Sequence, residues 1–495
     1  PKLCSDAVFV RRVYLDIIGA VPTAEQARRF IQNPDTNTKR TALIDRLLAR
    51  DEFATYWAMK WSDVLRIKAE FPINLWPNAA QAYHRWVMAS ISENKPYDQF
   101  VREMLTASGS NFRVGPVNFY RAIQNKTPEG LATATALAFM GVRADSWSEA
   151  EFAGMVTLFS QVGYKPTNEW KEENVFWDPL GLSKDAGAPG NAKPTTLVSV
   201  PSNAAPALAA MMPASVTLPD GTQLKVPANR DPRELFADWL ITPQNPWFTR
   251  SAVNRVWAWL LGRGIIHQPD DIREDNPPSM PALLAYLEKE LKGSNYDMKH
   301  LYQLILTSQT YQLSSVAPNT SPEAAANFAF YPLRRMDAEV LIDAVNKITG
   351  TTDLYTSPIP EPFTYIPKNQ PAISIADGSI TSHFLALFGR SARATGTSDE
   401  RNNNPVPAQW LHMLNSGHIQ QKIQDGPRFK KFYRTKGSMA EKMETLYLTV
   451  LSRYPTADEL EVVRNYGKVG SYKTYADWQD IAWALMNSPE FLYRH

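Results

Sequence analysis

Cysteine is almost absent from this chain: Cys4 is the only one in 495 residues. That excludes an intrachain disulfide, a cysteine-ligated zinc site and the two-thioether attachment of a c-type haem. A lone cysteine near an N-terminus can carry a lipid in an exported protein, and the plainer reading is a buried or free thiol. Histidine is sparse as well, with seven residues. His412 and His418 lie six apart, off the four-residue spacing that sets two ligands on one helix face, and there is no zincin pattern. Asp297 and His300 are three apart, but a helix cap explains Asp297 without a metal. No metal ligand and no cofactor is expected from these residues. Long apolar runs are also missing, so no helix is expected to span a bilayer, and Pro1-Lys2-Leu3-Cys4 lacks the apolar stretch of a signal peptide. The 52 basic and 50 acidic residues are interspersed and leave a formal charge of +2, without the basic block that tracks phosphates, so nucleic acid is excluded as a partner. No Gly-x-Ser-x-Gly elbow, Walker loop or dinucleotide fingerprint supports esterase, nucleotide or dinucleotide chemistry.

What is present is an order of residues that occurs twice. Ala42-Leu43-Ile44-Asp45-Arg46-Leu47-Leu48, Glu52-Phe53, Trp57 and Trp61 are followed by a helical stretch and Asn94-Lys95-Pro96-Tyr97-Asp98-Gln99-Phe100. Leu235-Phe236-Ala237-Asp238-Trp239-Leu240, Trp247-Phe248, Trp257 and Trp259 are followed by another and by Ser294-Asn295-Tyr296-Asp297. The pattern predicts a mainly α protein of two related helical lobes. Helices are expected to open at Thr23 and Thr456, each with a capping-box partner three residues on, and Asp98 and Asp297 are expected to cap helices with Tyr97 and Tyr296 as staples. Between the lobes, a Pro/Gly-rich stretch reads as a linker, with a β-hairpin where Val216 to Val226 alternates around Pro219-Asp220-Gly221. The expected division is residues 1–178, a linker over 179–229, and 230–495. A second irregular stretch, Thr351 to Ser379, carries five prolines with Tyr355, Phe363 and Tyr365, and loops of that length tend to be functional or mobile.

The second half further reads Asn245-Pro246-Trp247-Phe248, Val253-Asn254-Arg255-Val256-Trp257, Gly262-Arg263-Gly264, Asp270-Asp271-Ile272-Arg273, Phe388-Gly389-Arg390, Glu400-Arg401-Asn402-Asn403-Asn404-Pro405 and Ser488-Pro489-Glu490-Phe491. It closely resembles the planctomycete-specific C-terminal domain of unknown function of large exported proteins. The first half, through Arg11-Arg12-Val13-Tyr14-Leu15-Asp16, Pro22-Thr23, Trp61-Ser62-Asp63-Val64-Leu65-Arg66 and Asn94 to Phe100, resembles that domain's companion, the planctomycete cytochrome-associated domain. In that family a Gly-Val-Arg segment runs into a Cys-x-x-Cys-His haem motif. Here Gly141-Val142-Arg143 passes through Ala144-Asp145-Ser146 straight to Trp147, with neither the thiols nor the histidine.

Three groups of residues are candidates for chemistry. The loop Asp270 to Asn276 can set two carboxylates toward a glycosidic bond, or hold calcium through Asp270, Asp271 and Asn276, or simply pair Asp271 with Arg273 and cap the next helix. Asp16, Asp63, Arg66, Asn254, Arg255, Glu400 and Arg401 stand in apolar segments, where buried charge requires partners; they lock helices together or line a polar cleft between the lobes. Arg401, Asn403 and Gln409 flank an Asn-rich turn able to satisfy itself or to present a rim to a hydroxylated ligand. The candidate ligand-binding set is therefore Asp270, Asp271, Arg273, Asn276, Arg401, Asn403 and Gln409.

These readings, with the resemblance, imply a haem-less, non-catalytic binding or structural subunit of a periplasmic or extracellular assembly. Its implied partners are other proteins of an exported or membrane-associated complex, with cytochrome-containing electron transfer as a host. Trp76, Trp170, Trp177 and Tyr365 are candidate interface anchors. The alternative is a polysaccharide-binding or polysaccharide-active enzyme that uses a cleft between the lobes for glycans.

Overall fold

The structure is a computed structural model that describes residues 2–70, 75–181, 183, 212–317, 319–466 and 473–495. The fold is mainly α, and its helices begin where the side chains supply caps. Helix α1 (Asp6–Ile18) opens on Ser5, whose hydroxyl accepts from Val8 N, and closes on Gly19 in the left-handed region at φ 61°. Thr23 with Gln26, and Thr456 with Glu459, form the expected capping boxes. Asp297 caps its helix by accepting from His300 N at 3.0 Å. Asp98 departs from expectation. Its helix starts one residue earlier, at Tyr97, with Pro96 in the cap position, so Asp98 lies inside the first turn and makes no cap.

The repeated residue order becomes two series of four helices. The first is α2 (Lys39–Leu48), α3 (Asp51–Val64), α4 (Pro77–Ser92) and α5 (Tyr97–Thr106). The second is α6 (Pro232–Leu240), α7 (Phe248–Leu261), α8 (Pro281–Gly293) and α9 (Met298–Thr307). The series interlock: α2 packs on α9 while α6 packs on α5, so the leading helix of each lies on the closing helix of the other. Aromatic side chains fill the seam in matching pairs. Phe53 meets Tyr302 with ring centres 5.5 Å apart, and Phe248 meets Tyr97 at 5.0 Å. Trp259 lies against both Trp57 and Trp61, at 5.6 and 5.2 Å. The backbone joins the same seam where Tyr97 N donates to Tyr296 O at 3.0 Å. One continuous hydrophobic core therefore runs through both halves.

Strands are short. β1 (Gly109–Ser110), β2 (Val162–Pro166) and β3 (Glu173–Trp177) form an antiparallel sheet in the order β1-β3-β2. β4 (Ser215–Thr217) and β5 (Gln223–Lys225) make the hairpin expected around Pro219-Asp220-Gly221, with Val216 opposite Leu224 and Gly221 at φ 80° in the turn. Of the expected linker, residues 182 and 184–211 lie outside the described residues. Thr351 to Ser379 is irregular apart from a short 3-10 turn, as its prolines require. β6 (Arg334–Arg335) pairs with β7 (Tyr493–Arg494), which brings the C-terminal strand beside the start of α10 (Ala338–Thr349).

Candidate functional site

Five elements from opposite ends of the sequence deliver charge to one buried place. The last turns of α3 supply Lys60 and Asp63, one helical turn apart on the same face. Asp337, just before α10, and Glu339, in its first turn, come from the segment that β6 positions. The loop after Phe388 supplies Arg390, Arg393 and Arg401, β7 supplies Arg494, and α1 supplies Asp16.

Arg401 is the hub. Its Nε donates to Asp63 Oδ2 at 2.8 Å, while Nη1 and Nη2 fork onto the two oxygens of Glu339 at 2.7 and 3.0 Å. Arg393 binds the other oxygen of Asp63 at 3.0 Å, and Arg390 donates to Glu339 at 3.2 Å. Asp337 receives Lys60 Nζ and Arg494 Nη2, each at 2.7 Å, and Asn403 Nδ2 at 2.8 Å. Arg494 continues to Asp16, whose second oxygen accepts from Tyr311 and Tyr331 at 2.8 and 2.9 Å. Glu339 has no exposed surface and Asp337 only 1 %. Burial alone would raise both carboxyls. The guanidiniums of Arg401 and Arg390 outweigh it at Glu339 and hold that group at about 2, and Lys60, Arg494 and Arg401 keep Asp337 well below the usual carboxylate range. Burial also lowers Lys60 to about 8, against the pull of Asp337.

One side of this network is the wall of a cleft of about 640 Å³ between the two helix series. Lys60, Arg255, Arg263, Arg334, Arg335, Arg401 and Arg494 line it, against the carboxylates Asp63, Asp337 and Asp399. Seven cations face three carboxylates in the lining, and Glu339, Asp16 and Asp270 behind it pair with Arg401, Arg494 and Arg255, so the surplus positive charge rests on Arg263 and Arg335, which bond no carboxylate among the described residues. Several of these arginines are held by neutral carbonyls, which fix a guanidinium without cancelling its charge. Arg335 donates to the carbonyl of Phe388 at 2.7 Å, and Arg334 to those of Trp259 and Leu260 at 2.8 and 2.6 Å, with Asp16 a further 3.8 Å away. Arg263 Nε is buried without a partner among the described residues. Arg143, on the segment after Gly141, reaches the rim and pairs with Asp399 at 3.5 Å.

Residues 1–163 match the family model PSCyt2, a protein of unknown function (DUF1549). Residues 232–467 match PSD1, a protein of unknown function (DUF1553). The chain carries a PSCyt2 domain followed by a PSD1 domain. No curated protein and no solved structure matches it. The PSCyt2 part gives the cleft Lys60 and Asp63, and the PSD1 part gives it Arg255, Arg263, Arg334, Arg335, Asp337 and Arg401.

Of the residues singled out in the sequence, Arg401 and Asn403 line the cleft. Asp270 lies behind it, 1 % exposed, bound to Arg255 at 3.0 Å and accepting from Ser398 N at 2.6 Å. Asp271, Arg273 and Asn276 are not in its lining and serve their own loop. Arg273 Nε pairs with Asp271 at 3.1 Å, and Asn276 Nδ2 donates to the Asp271 carbonyl at 2.8 Å. Gln409 ties the next helix to its surroundings through the Leu387 carbonyl and Val406 N. Arg66 and Glu400 likewise close loops, Arg66 on the Thr395 carbonyl and Glu400 on the backbone of Ala394 and Thr395. Among the described residues, no group of three or more His, Cys, Asp or Glu side chains is arranged to hold a metal ion, and no helix is long and apolar enough to cross a membrane. Trp76 is buried against Phe363 rather than displayed, whereas Trp170 and Tyr365 are exposed. Sequence reading passed over Lys60, Arg334, Arg335, Asp337 and Arg494. The cue was Arg334-Arg335-Met336-Asp337-Ala338-Glu339, four charges crowded ahead of an apolar helix.

Proposed function

We propose that this chain is a binding component, not a catalyst, of an assembly outside the cytoplasm, and that its cleft takes a ligand bearing carboxylate or sulfate groups. The observation that carries this reading is that two guanidiniums of the wall, Arg263 and Arg335, bond no carboxylate among the described residues. A recessed site with surplus positive charge and low-dielectric walls concentrates anions, and guanidinium forks match the planar geometry of a carboxylate or two oxygens of a sulfate.

The same network argues against hydrolysis. Cleaving a glycosidic bond requires one carboxyl that is protonated at working pH and a second that is free to act as base or nucleophile. Asp337 and Glu339 are held ionised by their cations, and each oxygen pair is committed to two or more donors. The setting outside the cytoplasm, alongside other proteins of an exported or membrane-associated complex, rests on the resemblance of both halves. The stretch where the resembled family carries its haem motif reaches Asp399 of the cleft lining through Arg143, which supports a host that includes an electron-transfer protein.

A second reading, polysaccharide binding, draws support from Trp259, a half-buried aromatic residue in the lining of the cationic wall. It narrows the glycan to an acidic one. The test uses the purified full chain with oligogalacturonate and with a neutral cello-oligosaccharide of the same length. Binding is followed by calorimetry and bond cleavage by chromatography of the saccharide. The acidic chain is expected to bind and to be recovered intact. Equal binding of the neutral chain, or cleavage of either, overturns the reading.

A further inference from the structure

On the PSD1 side, away from the cleft, helices α11 (Pro407–Asn415) and α12 (Gly417–Asp425) meet at Ser416. On one unbroken helix, a six-residue separation would point His412 and His418 in different directions. The break at Ser416 turns them toward each other instead, so that His412 Nε2 lies 3.3 Å from His418 Nδ1. The other nitrogen of His418, Nε2, lies 3.3 Å from Asp353 Oδ1. Phe384 stands edge-on to both rings, with centres 5.6 and 5.9 Å away, and fixes the pair from behind. A third imidazole, His383, is exposed beside them, its ring centre 5.8 Å from that of His412.

An ion in tetrahedral coordination, with metal–nitrogen bonds of about 2.05 Å, holds its ligand atoms about 3.3 Å apart. The two facing nitrogens already have that separation. We propose that His412 and His418 form a site for a divalent transition ion of the zinc class, with Asp353 as the positioning residue. Asp353 accepts the Nε2 proton of His418, which fixes the tautomer whose Nδ1 lone pair faces the ion; carboxylates behind ligating imidazoles commonly act this way. In the metal-free pair, one proton must lie between the two facing nitrogens. Ion binding moves it to Nδ1 of His412, so both rings bind as neutral donors and no net proton transfer is required. The His418 side chain is 30 % exposed, so water completes the coordination shell from the open side.

The test is calorimetric titration of the chelator-treated full chain with Zn²⁺, with Mg²⁺ as control. Zn²⁺ is expected to bind one to one in the micromolar range, and Mg²⁺ not to bind. His412→Ala and His418→Ala are each expected to abolish binding, and Asp353→Asn to weaken it ten- to hundredfold. The zinc absorption edge of the wild-type complex, which depends on no variant, is expected to show scattering from two imidazoles. The proposal is overturned if Zn²⁺ gives no saturable binding below millimolar concentration, if binding survives in either histidine variant, or if the edge shows no imidazole.

Discussion

Arg401 and Asp63 are 338 residues apart in sequence, and Nε of one lies 2.8 Å from Oδ2 of the other. Asp63 ends a helix of the PSCyt2 domain, and Arg401 sits in a loop of the PSD1 domain. Their bond joins the two domains at the cleft wall, and Arg401 completes it by forking onto Glu339.

Removing this guanidinium leaves Asp63 and Glu339 partly or fully buried without their shared counter-ion. Arg401→Ala is expected to lower unfolding stability by about 3–5 kcal/mol, the usual cost of breaking a buried ion pair from one side. Arg401→Lys keeps the charge but not the fork, so it is expected to recover only part of the loss. Urea unfolding of the three proteins measures this, and a loss below about 1 kcal/mol for the alanine variant, typical of exposed pairs, contradicts it.

Acid should weaken the fold in two stages. Burial drives His84 down to about 3 from an ordinary value of 6.5, with Arg393 and Arg85 adding to the effect. The unfolded chain therefore takes up a proton near pH 6.5 that the native chain refuses until about pH 3. Stability from this group is complete above 6.5 and is lost as pH falls toward 3, by up to about 1.4 kcal/mol per pH unit. Glu339, with its folded value held at about 2, adds a second loss that begins below its ordinary 4.5. His84→Leu is expected to reduce the slope between pH 6.5 and 5, where His495, which burial lowers to about 4, keeps part of it, and to leave the steeper acid limb. Unfolding free energies across that range check it, and an unchanged slope in the variant speaks against it.

The crossed aromatic seam predicts that the two domains unfold together. Trp57 is 2 % exposed and contacts Tyr302 at 4.3 Å and Trp259 at 5.6 Å, both in the second helix series. Trp57→Ala is expected to cost about 3–5 kcal/mol, as for other large aromatic truncations. Differential scanning calorimetry should show a single transition moved to lower temperature. Two separate transitions, or one shifted half-transition, would mean that the domains are energetically independent.

Helical class and much of the local detail were legible in the sequence because they depend on near neighbours. Thr23, Thr456 and Asp297 cap where their partners three residues away require it, and the doubled order became two matching helix series. The site was only half legible. Arg401 was visible as a charge in an apolar segment, and Asn403 as part of an Asn-rich turn. Nothing local shows that Arg401 meets Asp63 and Glu339, or that Arg494, near the C-terminus, reaches Asp16 near the start. The acidic loop Asp270 to Asn276 drew attention by its density of charge, yet it satisfies itself through Arg255, Arg273 and its own backbone. Spacing misled at His412 and His418, since a six-residue interval excludes a shared face only if the helix is unbroken, and a single residue, Ser416, breaks it.

The central claim is that the cationic cleft binds anions, and Arg263 tests it most directly because it lines the wall while its Nε serves no described partner. Calorimetric titration of the full chain with oligogalacturonate, at low and high salt, is compared with the same titration of Arg263→Ala. The account predicts saturable binding that weakens as salt rises, an Arg263→Ala affinity at least tenfold lower, and unchanged thermal stability in the variant. Absence of binding at low salt, or equal affinity in both proteins, would contradict it.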